Sequence, residues 1–303
     1  MKGNRMLKIN TPVNIFNSET GEILAEFNDL ITIQTDEDIR KRKEYFEKKQ
    51  NKEGRIKSLY EQNGNFIWNI HTTAKIFLPD IKDSSLTRLM FISTYLGYEG
   101  YLINDKKKAL TKSNIFGLLK ISDSEFRRFW KEMIDSKLLQ VNEEKIYLNK
   151  EVFNRGNINS DYLKTLSEDQ KCLTRIYIEG VRSLYETATL FSHKTLSYIF
   201  RILPYVSRDY NICCFNPLEA DKCNLDRMSL GEFADIVGYD RTHISRLAKI
   251  LFDPQFKTKD GMKSAVRYVV DKSLNKETYS MFINPKVYYM GNKRNEIEIL
   301  GQF

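Results

Sequence analysis

The rarest residues of this chain are too few and too scattered to build most catalytic or metal centres. It has four cysteines, three histidines and two tryptophans in 303 residues. Cys172, Cys213, Cys214 and Cys223 form neither a CxxC pair nor a zinc-finger spacing. Cys213 and Cys214 are adjacent in an apolar stretch, so in a strand they point to opposite faces and read as reduced core residues. With only His71, His193 and His243, no paired-histidine metal motif stands out, and neither is there a phosphate-binding glycine loop or a clustered carboxylate signature. No metal site, cofactor or enzymatic activity is expected. No stretch approaches the roughly 18 apolar residues of a membrane span. The start, Met1 to Met6, leads into no apolar run of signal-peptide length. The expected location is therefore cytoplasmic, without membrane contact.

What the chain does have is positive charge and a repeat. Net charge is +8, which suits a polyanionic partner, because each Lys or Arg set against a phosphate releases condensed counterions. A hydrophobic content of 41% is enough for a core, and 29% charged residues suit a soluble protein.

Residues 11–33 predict a β-hairpin: Val13 and Ile15, then Ile23, Ala25 and Phe27, alternate around Asn17–Gly21. Residues 36–62 are charge-rich and helical in pattern. The basic run Arg40–Lys43 suits phosphate, but the interleaved Asp36, Glu37, Asp38, Glu44 and Glu47 favour a solvated helix face. Phe66–Ile70 reads as a strand. Ser84 or Ser85 is expected to cap an apolar helix through Leu89, Ile92, Tyr95 and Leu96. A short strand at Tyr101–Ile103, a helix–turn–helix over Thr111–Met133 and a hairpin of Leu138–Val141 with Lys145–Leu148 follow. In residues 157–190, Ser167 with Gln170 resembles a capping box, and Leu173, Ile176, Tyr177, Gly180, Leu184 and Tyr185 keep helical spacing. The order then restarts: a helix over Leu196–Leu203, a strand at Asn211–Phe215, a helix–turn–helix over Ser229–Leu251, and a hairpin of Ala265–Val270 with Tyr279–Ile283.

Subtraction tests the duplication. Thr111 and Ser229 differ by 229 − 111 = 118, and the same offset pairs Ile115 with Phe233, Leu119 with Val237, Ile121 with Tyr239 and Phe126 with Ile244. After the hairpins the offset is 284 − 149 = 135, pairing Asn149 with Asn284, Val152 with Val287 and Gly156 with Gly291. The second hairpin region is thus about 17 residues longer. Helix, strand, helix–turn–helix and hairpin is the order of a winged helix. The expected fold class is α+β, mainly α. It would hold an N-terminal hairpin and charged helix (1–65), winged-helix domain 1 (66–156), a helical connector (157–190) and winged-helix domain 2 (191–303).

The second copy has what a DNA-reading helix–turn–helix needs: small Ala234 where helices cross, Gly238 at the turn, and Asp240 to start the reading helix. Phe233, Val237, Tyr239, Ile244, Leu247 and Leu251 would bury the apolar side. Arg241, Thr242, His243, Ser245, Arg246 and Lys249 are left for the major groove, where arginines read guanine or hold phosphates. Lys257, Lys259, Lys263, Arg267, Lys272 and Lys276 follow in the longer wing, suited to the flanking backbone or the minor groove. The first copy departs from the pattern. Phe116 replaces the small residue, Lys120 the turn glycine, and Ser122 with Glu125 makes a capping box. Asp123 and Glu125 would repel phosphate. Arg127, Arg128 and Lys131 lie further along and suit the backbone, so this module either touches DNA without strong base reading or serves dimerisation or packing.

On Ser229–Leu251 and the exit Asn284–Gly291, the chain resembles winged-helix DNA-binding proteins of low-GC Gram-positive plasmids and phages, replication initiators and transcription regulators among them. Its wealth of Lys, Asn and Ile fits an AT-rich genome. The tandem layout over 66–291 is similar to iteron-binding initiators. That resemblance implies a double-stranded DNA partner, repeated origin sites and a monomer–homodimer switch. It leaves residues 1–65 outside.

Two alternatives stand beside this reading. Winged helices also serve as protein-interaction adaptors. His243 and Arg246 match the His-x-x-Arg of tyrosine recombinases, with Tyr279, Tyr288 or Tyr289 as nucleophile. The earlier arginine and the Leu-Gly-His segment of those enzymes are missing, so recombination is the remote reading.

Overall fold

Alternating apolar residues in Phe66–Ile70 build one of the strands that hold this protein together. The computed structural model describes residues 13–16, 20, 23–27, 40, 41, 43–47, 64–70, 78, 80–156, 173–189, 192–259, 261–271 and 278–291. The chain divides into two compact units, 1–58 and 59–303. In the first, β1 (Val13–Phe16) pairs antiparallel with β2 (Ile23–Phe27), Val13 opposite Phe27 and Ile15 opposite Ala25, as the alternation predicts. Residues 40, 41 and 43–47 are helical, and Arg40 lies 3.9 Å from Glu44 one turn on. Arg42 and residues 48–58 lie outside the described residues.

The second unit is a mixed α+β fold with small antiparallel sheets. It runs β3 (Phe66–Ile70), α1 (Asp83–Ser93), α2 (Lys112–Leu119), α3 (Asp123–Asp135), β4 (Leu139–Asn142), β5 (Lys145–Leu148) and β6 (Phe153–Asn154). Next come β7 (Leu173–Tyr177), α4 (Ile178–Thr187), α5 (His193–Ile202), α6 (Leu230–Ile236) and α7 (Ile244–Phe252). Last are β8 (Gln255–Thr258), β9 (Gly261–Ser264), β10 (Val266–Asp271), β11 (Thr278–Ile283) and β12 (Tyr288–Tyr289). A four-stranded sheet, in the order β12-β7-β3-β6, joins the two halves of the unit. Ile67, Ile176 and Tyr288 point from it into the main core, while Tyr177 and Tyr289 enter a smaller cluster with Ile212, Cys214 and Phe282. Cys213 joins the main core, so the adjacent cysteines do point to opposite sides. No helix among the described residues is long and apolar enough to cross a membrane.

The duplication is written in the hydrogen bonds. Ile70 N donates to Val152 O at 2.9 Å, and Tyr177 N donates to Val287 O at 3.0 Å. Leu102 N donates to Ile146 O, and Cys213 N to Met281 O; Leu110 N donates to Leu102 O, and Met228 N to Cys213 O. Each acceptor on the exit segment moves by 287 − 152 = 281 − 146 = 135 residues between copies. Strand β3 maps to β7 with an offset of 177 − 70 = 107, so Leu173–Tyr177 belongs to the same repeated pattern as Phe66–Ile70. In the β3–β7 ladder Phe66 lies opposite Tyr177 and Ile70 opposite Leu173. Exchanging the copies turns the first pair into the second, and Trp68 opposite Arg175 is the pair left in place. Such a register is that of a local two-fold axis, and the counterpart helices α1 and α5 pack against each other beside it.

Several expectations change. Leu173, Ile176 and Tyr177, expected on a helix, form β7, because pairing with β3 satisfies a full ladder that outweighs the local spacing; the helix starts at Ile178. Ser84 and Ser85 are inside α1 rather than capping it, and Ser85 Oγ donates to Glu132 Oε2 at 2.6 Å. Tyr101–Ile103 and Ile212–Cys214 make isolated bridges instead of full strands. The longer second copy splits in two. Leu139 opposite Leu148 corresponds to Val266 opposite Ile283, an offset of 266 − 139 = 127 before the turn, so nine of the 17 extra residues (127 − 118) precede β10, in the stretch where the β8–β9 hairpin lies. The capping-box residues Ser167 and Gln170 lie outside the described residues.

Candidate nucleic-acid interface

The second helix pair is set by its caps. Ser229 begins α6: its Oγ accepts from Glu232 N at 3.2 Å, while Glu232 accepts from Ser229 N at 2.7 Å. Hydrogen bonds donated to the Glu232 carboxylate by Ser229, first from its backbone N and then from its Oγ (2.7 Å each), hold that carboxyl below its ordinary range. Ala234 is fully buried, and Tyr239 N donates to its carbonyl at 2.8 Å. Gly238 turns the chain with φ +64, in open space. Asp240 then caps the next element by accepting from Thr242 N at 2.9 Å. The first turn, Arg241–His243, is a tighter 3₁₀ turn, and α7 proper starts at Ile244.

This element has two clean sides. Leu247 and Leu251 are buried, Ile244 is half-buried, and Arg241, Thr242, His243, Ser245, Arg246 and Lys249 are all exposed. Val237 and Tyr239, expected inside, are half-buried. Arg246 and Lys249 also border a cavity of about 460 Å³ against Leu184, Thr187, Ser192 and Leu196. Arg241 is not free: Nε donates to Asp235 Oδ1 at 2.7 Å, and Nη2 donates to Asp235 Oδ2. These hydrogen bonds hold the Asp235 carboxyl below its ordinary range and raise the Arg241 guanidinium. Sequence reading missed Asp235, whose only signal is an acid six residues before the arginine, across the turn.

The cations expected on one wing are distributed over two hairpins. Lys257, Lys259 and half-buried Lys263 belong to β8–β9. That hairpin is fastened to α4: Thr187 Oγ1 donates to Gln255 O at 2.8 Å, Lys257 N donates to Ser183 Oγ at 2.7 Å, and Phe256 is buried. Arg267 is exposed on β10. Lys272 and Lys276 lie outside the described residues.

In the first copy the turn and the helix start do structural work. Lys120 takes the left-handed conformation of Gly238, with φ 51. Ser122 and Glu125 form the expected capping box, and Glu125 also receives a 3.0 Å ion pair from buried Arg88. Burial pushes the Glu125 carboxyl up, but Arg88 and Ser122 outweigh it and hold it low. Asp123 pairs with Arg127 at 2.6 Å, and Arg128 Nε donates to Ser124 O at 3.3 Å. Arg127, Arg128 and Lys131 are exposed. Phe116 packs on Phe126 with ring centres 5.0 Å apart, where the second copy has Ala234.

Tyr288 and Tyr289 are buried in the sheet, and Tyr288 Oη donates to Leu203 O at 2.9 Å. Among the described residues no group of three or more His, Cys, Asp or Glu side chains is placed to hold a metal ion.

Comparison with family models, curated proteins and solved structures finds no match to this chain.

Proposed function

We propose that this chain is a sequence-specific double-stranded DNA-binding protein. In this reading each copy of the repeat is a winged helix, and the second reads the major groove with residues 240–251 while the first supports it. One observation carries the reading: six polar or cationic side chains, Arg241 to Lys249, share the exposed side of an element whose opposite side is anchored by Leu247 and Leu251. The acids of the first copy are taken up by Arg88 and Arg127, which suits a module that grips backbone through Arg128 and Lys131 rather than bases. Linking the two modules through one sheet raises the effective concentration of each beside the other's site.

The biological role that fits best is a plasmid- or phage-type replication initiator or a transcription regulator. Both need the same surface, and a homodimer would extend it. The test is selection of bound duplexes from a random pool, followed by shift assays at moderate salt. The reading expects an enriched motif and its loss in Arg241→Ala/Arg246→Ala. Binding unchanged by that double substitution would overturn the assignment. A chain that retains no duplex even at low salt would instead support the protein-interaction adaptor. Mapping bound sites then separates initiator from regulator, by clustered repeats at an origin or scattered promoters.

A further inference from the structure

An arginine can present two edges to a planar acceptor pair, and Asp235 has already taken one of Arg241's. The carboxylate receives Nε and Nη2, the side edge of the guanidinium. The end edge, Nη1 with the outer N–H of Nη2, remains, and among the described residues Nη1 has no partner. The pair is open to solvent, with side chains 59% and 56% exposed. The guanidinium lies over Gly231 in the first turn of α6, where a Cβ would come within 3.7 Å of Arg241 Cζ, ordinary contact distance. The side chain is thus held between an acid and a helix turn, more than half exposed, and its end edge has no partner among the described residues.

We propose that Asp235 is the positioning residue that makes Arg241 a guanine reader. The free end edge offers two parallel N–H donors. Guanine presents two acceptors in the major groove, O6 and N7, whereas adenine presents an acceptor beside a donor. A free arginine swings to phosphate as readily as to a base. One already held on its side edge is pre-organised for a single direction, and its charge is partly balanced against non-specific phosphate. Asp240, capping the turn at Thr242 N, fixes the backbone from which Arg241 departs. This inference rests on the DNA-binding reading above.

The experiment is selection of duplexes from a random pool by the full chain, for wild type, Arg241→Ala, Arg241→Lys and Asp235→Asn. Thermal melting of each variant verifies folding. Wild type is expected to enrich a motif with guanine at one defined position. Both Arg241 variants should lose that preference, since lysine lacks the fork. Asp235→Asn keeps the size of the side chain and should lower the guanine preference at the same position about tenfold, while binding to a non-specific duplex at low salt strengthens. A purely structural role would not move one base position alone. Asp235→Asn with full guanine preference, beside an Arg241→Ala that loses it, would overturn the proposal and leave DNA reading intact. An unchanged motif in Arg241→Ala would overturn it as well. If wild type enriches nothing, the DNA-binding reading fails and this inference falls with it.

Discussion

Trp68 and Arg175 face each other in the β3–β7 ladder, with the guanidinium 5.1 Å from the indole centre, and each donates to the carbonyl of the same glycine in its own copy. Trp68 Nε1 donates to Gly156 O at 2.9 Å, and an Arg175 Nη1 donates to Gly291 O at 2.8 Å. Gly156 and Gly291 are separated by 291 − 156 = 135, the offset of the whole exit segment. Two unlike side chains therefore do one job on either side of the local axis, anchoring the strand that leaves each hairpin. Arg175→Met should cost about 2–3 kcal/mol, the worth of a hydrogen bond from a charged group, and Trp68→Phe about 1 kcal/mol or somewhat more. Because the two rest on each other, urea unfolding of the double variant should depart from additivity; a sum of the single effects would mean the copies are anchored independently.

The turn of each helix pair carries opposite predictions. Lys120 and Gly238 are equivalent positions, both left-handed. Lys120→Gly should relieve about 1 kcal/mol of backbone strain and raise the melting temperature. Gly238→Ala should lower stability by a similar amount, although its Cβ would meet nothing within 4 Å.

Gly180 sits within α4, where alanine ordinarily gains about 1 kcal/mol of helix propensity. Here a Cβ would lie 2.4 Å from Lys286 O, a backbone atom of the segment leading into β12. Gly180→Ala should therefore destabilise by about 1–3 kcal/mol, as overpacking does. A denaturant midpoint equal to or above wild type would refute this packing account.

His193 is buried beneath Tyr185, with ring centres 4.2 Å apart, and near Arg88 and Glu125. Burial first, then the Arg88 charge, lowers its pKa from the ordinary 6.5. A histidine depressed in the folded state binds its proton more readily when unfolded. Its contribution is complete above about pH 6.5 and is lost as pH falls through the depressed value. Stability measured between pH 7.5 and about 5.5 should decline on the acid side, and His193→Phe, which keeps the stack, should flatten that decline.

The β8–β9 hairpin bears on salt dependence. If Lys257, Lys259 and Lys263 meet phosphates, replacing all three with Ala should make the slope of log affinity against log salt shallower. The change is up to about 0.9 for each phosphate that is no longer neutralised, with the preferred motif unchanged. A changed motif would move these lysines from backbone to bases.

Much of this was legible because local chemistry is local. The caps at Ser122 and Asp240 needed only the residue two or three positions on. The alternation in Val13–Phe16 and Ile23–Phe27 needed only period two. The duplication needed only subtraction. What failed was non-local. Leu173, Ile176 and Tyr177 keep helical spacing, yet an unpaired β3 edge about a hundred residues earlier claims them (177 − 70 = 107). Arg241 reads as a free cation in one dimension; folding across Gly238 brings Asp235 to it. The basic residues after Phe252 read as one wing, but anchoring to α4 through Thr187 and Ser183 makes them two hairpins.

The sequence by itself determined the repeated order of elements, the capped starts of the helices after Ser122 and Asp240, and which sides are apolar, because these follow from spacing along the chain. Only the tertiary structure decided that the copies share one sheet about Trp68 and Arg175, and that the leading arginine of the candidate reading element has an acidic partner. Hydrogen-bond ladders and ion pairs join residues by distance in space, and spacing along the chain does not carry that distance.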